Sequence, residues 1–294
     1  MRFHTRRKFL ATMAAAFGST SLANQVLAQQ TQGRTTEPVY RISKKDSFNP
    51  GGQEPHPLDP ALKMAYSTLG RIRASIKDYT AIVIKREQVG GKIGEYEYMG
   101  AKIRNRVVQD GQIVTPFSVY LTFLKPATVK GREVIYVEGR NSGKLTAHEG
   151  GMKGRFLPTV SLDPNGMMAM RGQRYPITEM GIENLVTKLI EKGERDKKQG
   201  VCGVEFLRGA KVGGRPCTVL SVKHDQKLPC FDFHLAQIFI DEQLNIPVRY
   251  CAYEWPKTSG GKPSLLEEYT YQNIKLNVGL TDADFDVNNP KYNF

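Results

Sequence analysis

The chain has 294 residues, of which 40% are hydrophobic and 24% charged, and its 42 Lys and Arg against 29 Asp and Glu give a formal net charge of +13. This composition is typical of an ordinary globular protein. No run after Ala28 approaches the ~18 consecutive apolar residues of a membrane-spanning helix, which excludes a bilayer-spanning body.

The first 28 residues have the three parts of an export signal: a basic start, an apolar middle and a small-residue exit. Four of them match the twin-arginine export motif, which a receptor reads and which does not anchor the chain. These residues are Arg6, Arg7, Phe9 and Leu10. We predict that residues 1–28 are a twin-arginine-type signal peptide, cleaved after Ala28, and that the mature protein is periplasmic or otherwise extracytoplasmic. An ordinary secretory signal with a chance arginine pair is the alternative.

The mature chain is expected to remain basic. Cleavage after Ala28 removes four positive charges and no acid, which leaves a formal charge of +9. Such a surface attracts anionic polymers and lipid headgroups. Export argues against a nucleic-acid partner, and the densest basic cluster, residues 191–200, also contains three acids. We therefore predict no nucleic-acid partner.

Two segments precede the first predicted strand. Residues 29–57 are rich in Gln, Thr, Pro and Gly with hardly any apolar periodicity, which predicts a disordered tether. Asp59, as an N-cap, and Pro60, at the first helical position, then predict an amphipathic helix over roughly residues 60–77. Its predicted apolar face consists of Leu62, Ala65, Tyr66, Leu69, Ile72 and Ile76.

The pattern then changes to the alternation of β-strands. Two strands flank Gly90 and Gly91, a strong hairpin signal. Further alternating segments continue to about residue 165, where Gly, Pro and Asn punctuate a predicted meander. A second helix is predicted near residues 178–198, with Thr178 as its cap. Its apolar stripe is Ile182, Leu185, Val186, Leu189 and Ile190.

Strands return after this helix and give about ten in total around two helices, without the strand–helix alternation of a parallel sheet. The predicted architecture is α+β: a single domain over residues 58–294 with one large antiparallel sheet and helices on one face. A sheet of this size twists and curls. We expect the curled sheet and its helices to enclose an apolar cavity.

Two stretches resemble the Lol-type lipoprotein carrier superfamily. The end of the chain has an aromatic strand followed by a closing pattern, with Tyr269, Tyr271, Asn277, Leu280 and Phe285 at the matching positions. Residues 236–255 are similar to the superfamily's central hairpin, in which a strand ends in Asp, turns, and returns through a proline and a basic residue.

Over residues 58–294, in segments such as VYLTFLKPATVKGREVIYVEGRNSGKLTAHEG, the chain resembles an uncharacterised family of exported bacterial domains related to those carriers. The resemblance implies a half-open antiparallel β-barrel of about ten strands, with helices on its concave face and an interior that receives acyl chains.

Few residues suggest chemistry. In an exported protein the even number of cysteines suggests disulfides, and three connectivities are open for Cys202, Cys217, Cys230 and Cys251. Cys230 and His234 form a weak metal-site candidate, because their spacing suits a helix and the segment is predicted as strand. His148 and His224 are expected to be surface or half-buried residues. The acidic pairs Glu95/Glu97 and Glu267/Glu268 are expected to face solvent.

Three hypotheses follow from these observations. The first is an exported, non-enzymatic binding or carrier protein without a cofactor, which shelters a lipid or acylated protein in an apolar cavity. The second is a cell-envelope interaction module that docks on an anionic envelope polymer or a membrane surface through its basic exterior. The third is a metal-dependent enzyme that uses Cys230 and His234.

Overall fold

The structure is a computed structural model that describes residues 44–46, 56–200 and 202–294. All of them belong to one compact unit, Thr36–Phe294. The predicted signal peptide, with Arg6, Arg7 and Ala28, lies outside the described residues, as does most of the predicted tether. Three tether residues, Lys44–Asp46, form a short strand.

The described residues form fifteen strands and three α-helices. In chain order these are β1 (Lys44–Asp46), α1 (Asp59–Ser75), β2 (Asp78–Val89), β3 (Lys92–Ile93), β4 (Glu97–Arg104), β5 (Val107–Gln109), β6 (Gln112–Thr115), β7 (Ser118–Lys125), β8 (Glu133–Val137), β9 (Leu145–His148), α2 (Gly151–Gly154), β10 (Val160–Leu162), α3 (Ile182–Gln199), β11 (Gly203–Val212), β12 (Arg215–Lys223), β13 (Leu235–Asp241), β14 (Pro247–Tyr253) and β15 (Leu265–Leu276).

Thirteen of these strands form one antiparallel, curled sheet in the order β1-β11-β12-β13-β14-β15-β2-β4-β7-β8-β9-β10, with β3 attached to β2. Its edge strands β1 and β10 do not pair with each other, so the sheet is open. The predicted fold class is therefore confirmed. The predicted number of about ten strands is too low, because β1, β3, β5 and β6 have only two to four residues, too few to show alternation.

Helices α1 and α3 lie against each other on one face of the sheet. They approach closely at Gly193, where an added Cβ would lie 2.9 Å from Leu62 Cδ2. The predicted apolar stripe of α3 is confirmed, with Ile182, Val186 and Ile190 buried in the core. No helix among the described residues is long and apolar enough to cross a bilayer.

Both predicted helix caps are wrong. The N-cap of α1 is Leu58, and the Asp59 carboxylate instead pairs with Lys197. Residues 177–179 form a 3-10 turn, and α3 begins only after Gly181, whose φ of +108° interrupts the helix before it can start at Thr178. The predicted hairpin turn is confirmed, since Gly90 and Gly91 both have positive φ between β2 and β3.

The C-terminal residues pack on the sheet face opposite the helices. Phe285 is buried there with Tyr120 and Ile135. Asn277 joins this segment to the end of α1: its Oδ1 accepts from the Lys77 backbone N–H at 2.8 Å, and its Nδ2 donates to the Ser75 carbonyl at 2.8 Å. The closing pattern that resembles the carriers thus has a structural role in this chain.

Candidate functional site

A cavity of about 580 Å³ lies on the helix-bearing face of the sheet. Its floor is formed by β2, β4, β7, β8, β9, β10, β14 and β15, its roof by the loop of residues 163–181, and one side by α3. Ligand sites for small molecules typically occupy ~300–1,000 Å³. The cavity is therefore large enough for a small molecule or an acyl chain.

Strand pairing places apolar side chains along most of the floor. Tyr271, Val83, Met99 and Phe123 are direct partners across four adjacent strands, so they point to the same face. Val134, Leu145 and Leu162 continue this surface toward the β10 edge. Met180, Leu185 and Leu189 close it from the loop and from α3. Most of the cavity surface is consequently apolar.

The next residues on the same face of β15, β2 and β4, two positions further along each strand, are polar. Tyr250, Tyr269, Lys85 and Glu97 form one row across β14, β15, β2 and β4, and Glu267 pairs with Glu87 in the following row. We call these six side chains, together with Gln173, Arg174 and Tyr175 of the loop, the polar wall. Lys85, Glu87 and Glu267 are all less than 10% exposed.

The loop closes over the polar wall through Arg174. Its Nε donates to Glu267 Oε2 at 2.8 Å, its Nη1 donates to the Gln88 carbonyl at 3.1 Å, and its backbone N–H donates to Glu87 Oε2 at 3.2 Å. Tyr175 Oη also donates to Glu267 Oε1, at 3.2 Å. These bonds connect the roof of the cavity to β2 and β15.

Charges within the polar wall do not balance. Lys85 Nζ lies 3.3 Å from both Glu87 Oε2 and Glu97 Oε2, and Tyr269 donates to Glu87. Two cations, Lys85 and Arg174, therefore face three carboxylates. Burial, followed by the nearby carboxylates, raises the pKa of Tyr175 and of Tyr269, so both phenols stay protonated as donors.

The prediction that Glu267 and Glu268 face solvent is wrong. They are 2% and 3% exposed, because both faces of β15 are covered. Glu267 belongs to the polar wall, whereas Glu268 pairs with Arg249 at 2.7 Å on the opposite face. Glu95 is exposed as expected, and Glu97 is half-buried.

The four cysteines are free thiols in the structure, and their predicted disulfides stay a prediction. Burial raises the pKa of Cys202 and of Cys217 to about 11. Cys217 and Cys251 lie on strands either side of β13, opposite Asp241 and Gln237. Two strand spacings separate their backbones by ~10 Å, more than the ~7 Å that a disulfide tolerates. The connectivity that joins this pair does not fit the fold.

The weak metal candidate gains no third ligand. Within residues 44–46, 56–200 and 202–294, no group of three or more His, Cys, Asp or Glu side chains is placed to hold a metal ion. His234 Nδ1 bonds the His224 carbonyl at 2.7 Å, and Cys230 is half-buried.

His224 is 1% exposed, so the expectation of a surface or half-buried residue is wrong; it stacks on Phe231 with ring centroids 3.9 Å apart. His148, half-buried as expected, lies 3.0 Å from Thr159 Oγ1.

A family model described as "Protein of unknown function (DUF1571)" matches residues 76–294. The chain belongs to the DUF1571 family. This match confirms the resemblance to an uncharacterised family, and the matched part of the DUF1571 chain contains every residue that lines the cavity. No curated protein matches the chain.

Solved structures similar to this DUF1571 chain include a DUF1329-family protein from Desulfovibrio piger, with 13% identity over 79% of this chain and 98% of that chain and a TM-score of 0.38. A domain from Vibrio parahaemolyticus described as an outer membrane lipoprotein-sorting protein has 13% identity over 76% and 95%, with a TM-score of 0.36. A LolA-superfamily protein from Nitrosomonas europaea has 11% identity over 76% and 97%, with a TM-score of 0.30. At these values the likeness carries no argument about binding or activity.

Proposed function

We propose that the protein is an exported, non-enzymatic binding or carrier protein that shelters a lipid or acylated ligand in the cavity. The observation that carries this proposal is a cavity of about 580 Å³ with a largely apolar floor and one polar wall. Burying an alkyl tail contributes ~0.8 kcal/mol per methylene, so even a tail of moderate length gives substantial affinity.

The polar wall orients the ligand. An amphiphile places its tail on the surface formed by Val83, Met99 and Phe123 and its head beside Glu87 and Glu267. Within the polar wall the buried Glu87 and Glu267 and the half-buried Glu97 face two cations, so an anionic head placed beside these carboxylates meets net repulsion. The preferred ligand has a neutral, hydrogen-bonding or cationic head.

Ligand binding is tested by extracting lipids from the protein isolated from cells and by native mass spectrometry. Displacement of a fluorescent alkyl probe by dodecanol, dodecylamine and dodecanoate then measures head selectivity. We expect dodecanoate to be the weakest competitor, by about tenfold. Glu267→Gln should reduce the preference for dodecanol and dodecylamine over dodecanoate. Equal competition by all three ligands contradicts the role of the polar wall, and a protein without bound lipid or probe uptake contradicts the proposed function.

Cavity-filling variants test the location of the ligand. Ala147 and Ala169 line the cavity, whereas Ala283 is exposed on the opposite side of the sheet. Ala147→Phe and Ala169→Trp should weaken probe binding by about tenfold or more, because the new rings occupy the space of the tail. Ala283→Trp is the matched control and should bind like the parent. Unchanged binding in both cavity variants places the ligand elsewhere.

A further inference from the structure

A short stretch between β9 and α3 exposes large apolar side chains. Six of the sixteen exposed large hydrophobic side chains of the described residues lie within residues 152–168. They are Met152 (69% exposed), Phe156 (78%), Leu157 (48%), Val160 (36%), Met167 (90%) and Met168 (72%), and we call them the apolar lip. Concentrated exposed apolar surface marks a site of contact with a protein or a membrane.

The apolar lip borders the cavity. Leu157, Val160 and Met168 line the cavity and are also exposed to solvent, so they lie at its opening. The most exposed members, Phe156 and Met167, belong to none of the described core clusters. Whatever contacts the apolar lip therefore also meets the cavity opening.

Positive charge accompanies the apolar lip. Arg155 and Arg171 are exposed and form no ion pair with a described residue. The acid of the same stretch, Asp163, accepts the Asn165 backbone N–H at 2.9 Å in a local turn, and Glu149 pairs with Arg132 at 2.8 Å. Apolar side chains flanked by unpaired arginines complement a bilayer interface, where acyl chains lie beneath anionic headgroups.

We propose that the apolar lip docks on the surface of an anionic lipid bilayer and presents the cavity opening to it. Phe156 and the methionines enter the acyl boundary, where flexible thioether side chains adapt to a fluid phase. Arg155 and Arg171 remain at the level of the headgroups. This inference goes beyond the proposed function, because docking does not require a ligand in the cavity.

A tryptophan reporter in the apolar lip tests docking locally. The chain has one Trp, Trp255, so Phe156→Trp in a Trp255→Phe background reports on the lip alone. The full chain is mixed with vesicles of phosphatidylethanolamine and phosphatidylglycerol that carry brominated acyl chains. We expect a blue shift and quenching of the tryptophan emission in the F156W variant. Absence of both at saturating lipid overturns the proposal, even if another part of the chain binds the vesicles.

Charge reversal tests the headgroup contacts. Arg155→Glu with Arg171→Glu should weaken lip insertion by about 25-fold or more in low salt, since each basic residue near an anionic surface contributes about fivefold and each new carboxylate is repelled. Neutral phosphatidylcholine vesicles should give a much smaller signal. Equal quenching with neutral and anionic vesicles, or no effect of the charge reversal, contradicts the assignment to an anionic surface.

A matched control separates docking from general adhesion. Val108, on the β5–β6 hairpin, is 53% exposed but does not line the cavity. In vesicle sedimentation Phe156→Ser should reduce binding, and Val108→Ser should leave it unchanged. Equal losses in both variants overturn the proposal. A dimer in sedimentation velocity that Phe156→Ser abolishes would assign the apolar lip to a second copy of the chain and also overturn it.

Discussion

Removing the Arg174 side chain should destabilise the protein and loosen the roof of the cavity. Arg174→Met leaves the Glu267 carboxylate, whose side chain is 3% exposed, without the guanidinium 2.8 Å away. Breaking a fully buried ion pair costs ~3–5 kcal/mol. Because the Arg174 side chain is 29% exposed and Tyr175 still donates to Glu267, we expect about 2–3 kcal/mol.

The measurements are thermal and urea unfolding, and the rate of probe release. For a domain of this size the loss corresponds to a decrease in Tm of about 4–12 °C. Probe release should accelerate, since the same side chain holds the loop to β2 and β15. Arg73→Met is the matched control, because Arg73 forms a 2.8 Å pair with Glu183 but is 58% exposed and should lose less than ~1 kcal/mol. Equal stability of the two variants would refute the calculation.

Three further predictions concern other parts of the domain. Asp241→Ala should lower the unfolding free energy by about 2–4 kcal/mol in urea denaturation. The substitution removes a fully buried carboxylate that accepts hydrogen bonds from Arg215 and from two backbone N–H groups of the turn, and a loss below ~1 kcal/mol contradicts this role. Burial lowers the pKa of His224 from its usual 6.5, so the folded state keeps its stability above pH ~6.5 and loses stability as the pH falls below that value. His224→Gln should flatten the pH dependence of the unfolding free energy, and parallel pH profiles of the variant and the parent would contradict this reasoning. A thiol reagent should modify Cys230 first in the native protein, and fewer than four reactive thiols after unfolding would support the predicted disulfides.

Periodicity was sufficient to predict the scaffold. Apolar residues at helical spacing predicted α1 and α3, and alternation predicted the long antiparallel strands. The cavity also followed from a large curling sheet with helices on one face. Local signals failed where tertiary structure decides the outcome. At Gly181, for example, a backbone with φ of +108° and the close approach of Tyr79 set the start of α3.

The polar wall could not be predicted, for two physical reasons. Lys85, Glu87 and Glu267 occupy alternating positions that are usual for a solvent-facing side of a strand, but the loop around Arg174 covers this side. The two strands that carry most of the polar wall, β2 and β15, are also far apart in the chain, so only their register brings Glu87 opposite Glu267. The apolar lip also escapes sequence-based prediction, because most of its residues lie where the alternating pattern predicts the strand meander.

The polar wall buries charged side chains on the sheet, which costs desolvation free energy, and this cost supports a role in ligand binding. Buried ion pairs are often no more stable than apolar residues of similar volume. Replacing Glu267, Arg174 and Tyr175 together by Leu, Met and Phe removes the carboxylate together with two side chains that donate to it. This triple variant should be more stable than Arg174→Met alone and close to the parent, yet should lose its discrimination between dodecanol and dodecanoate. If the triple variant is instead the least stable and keeps its selectivity, the wall serves folding and another feature of the cavity reads the head of the ligand.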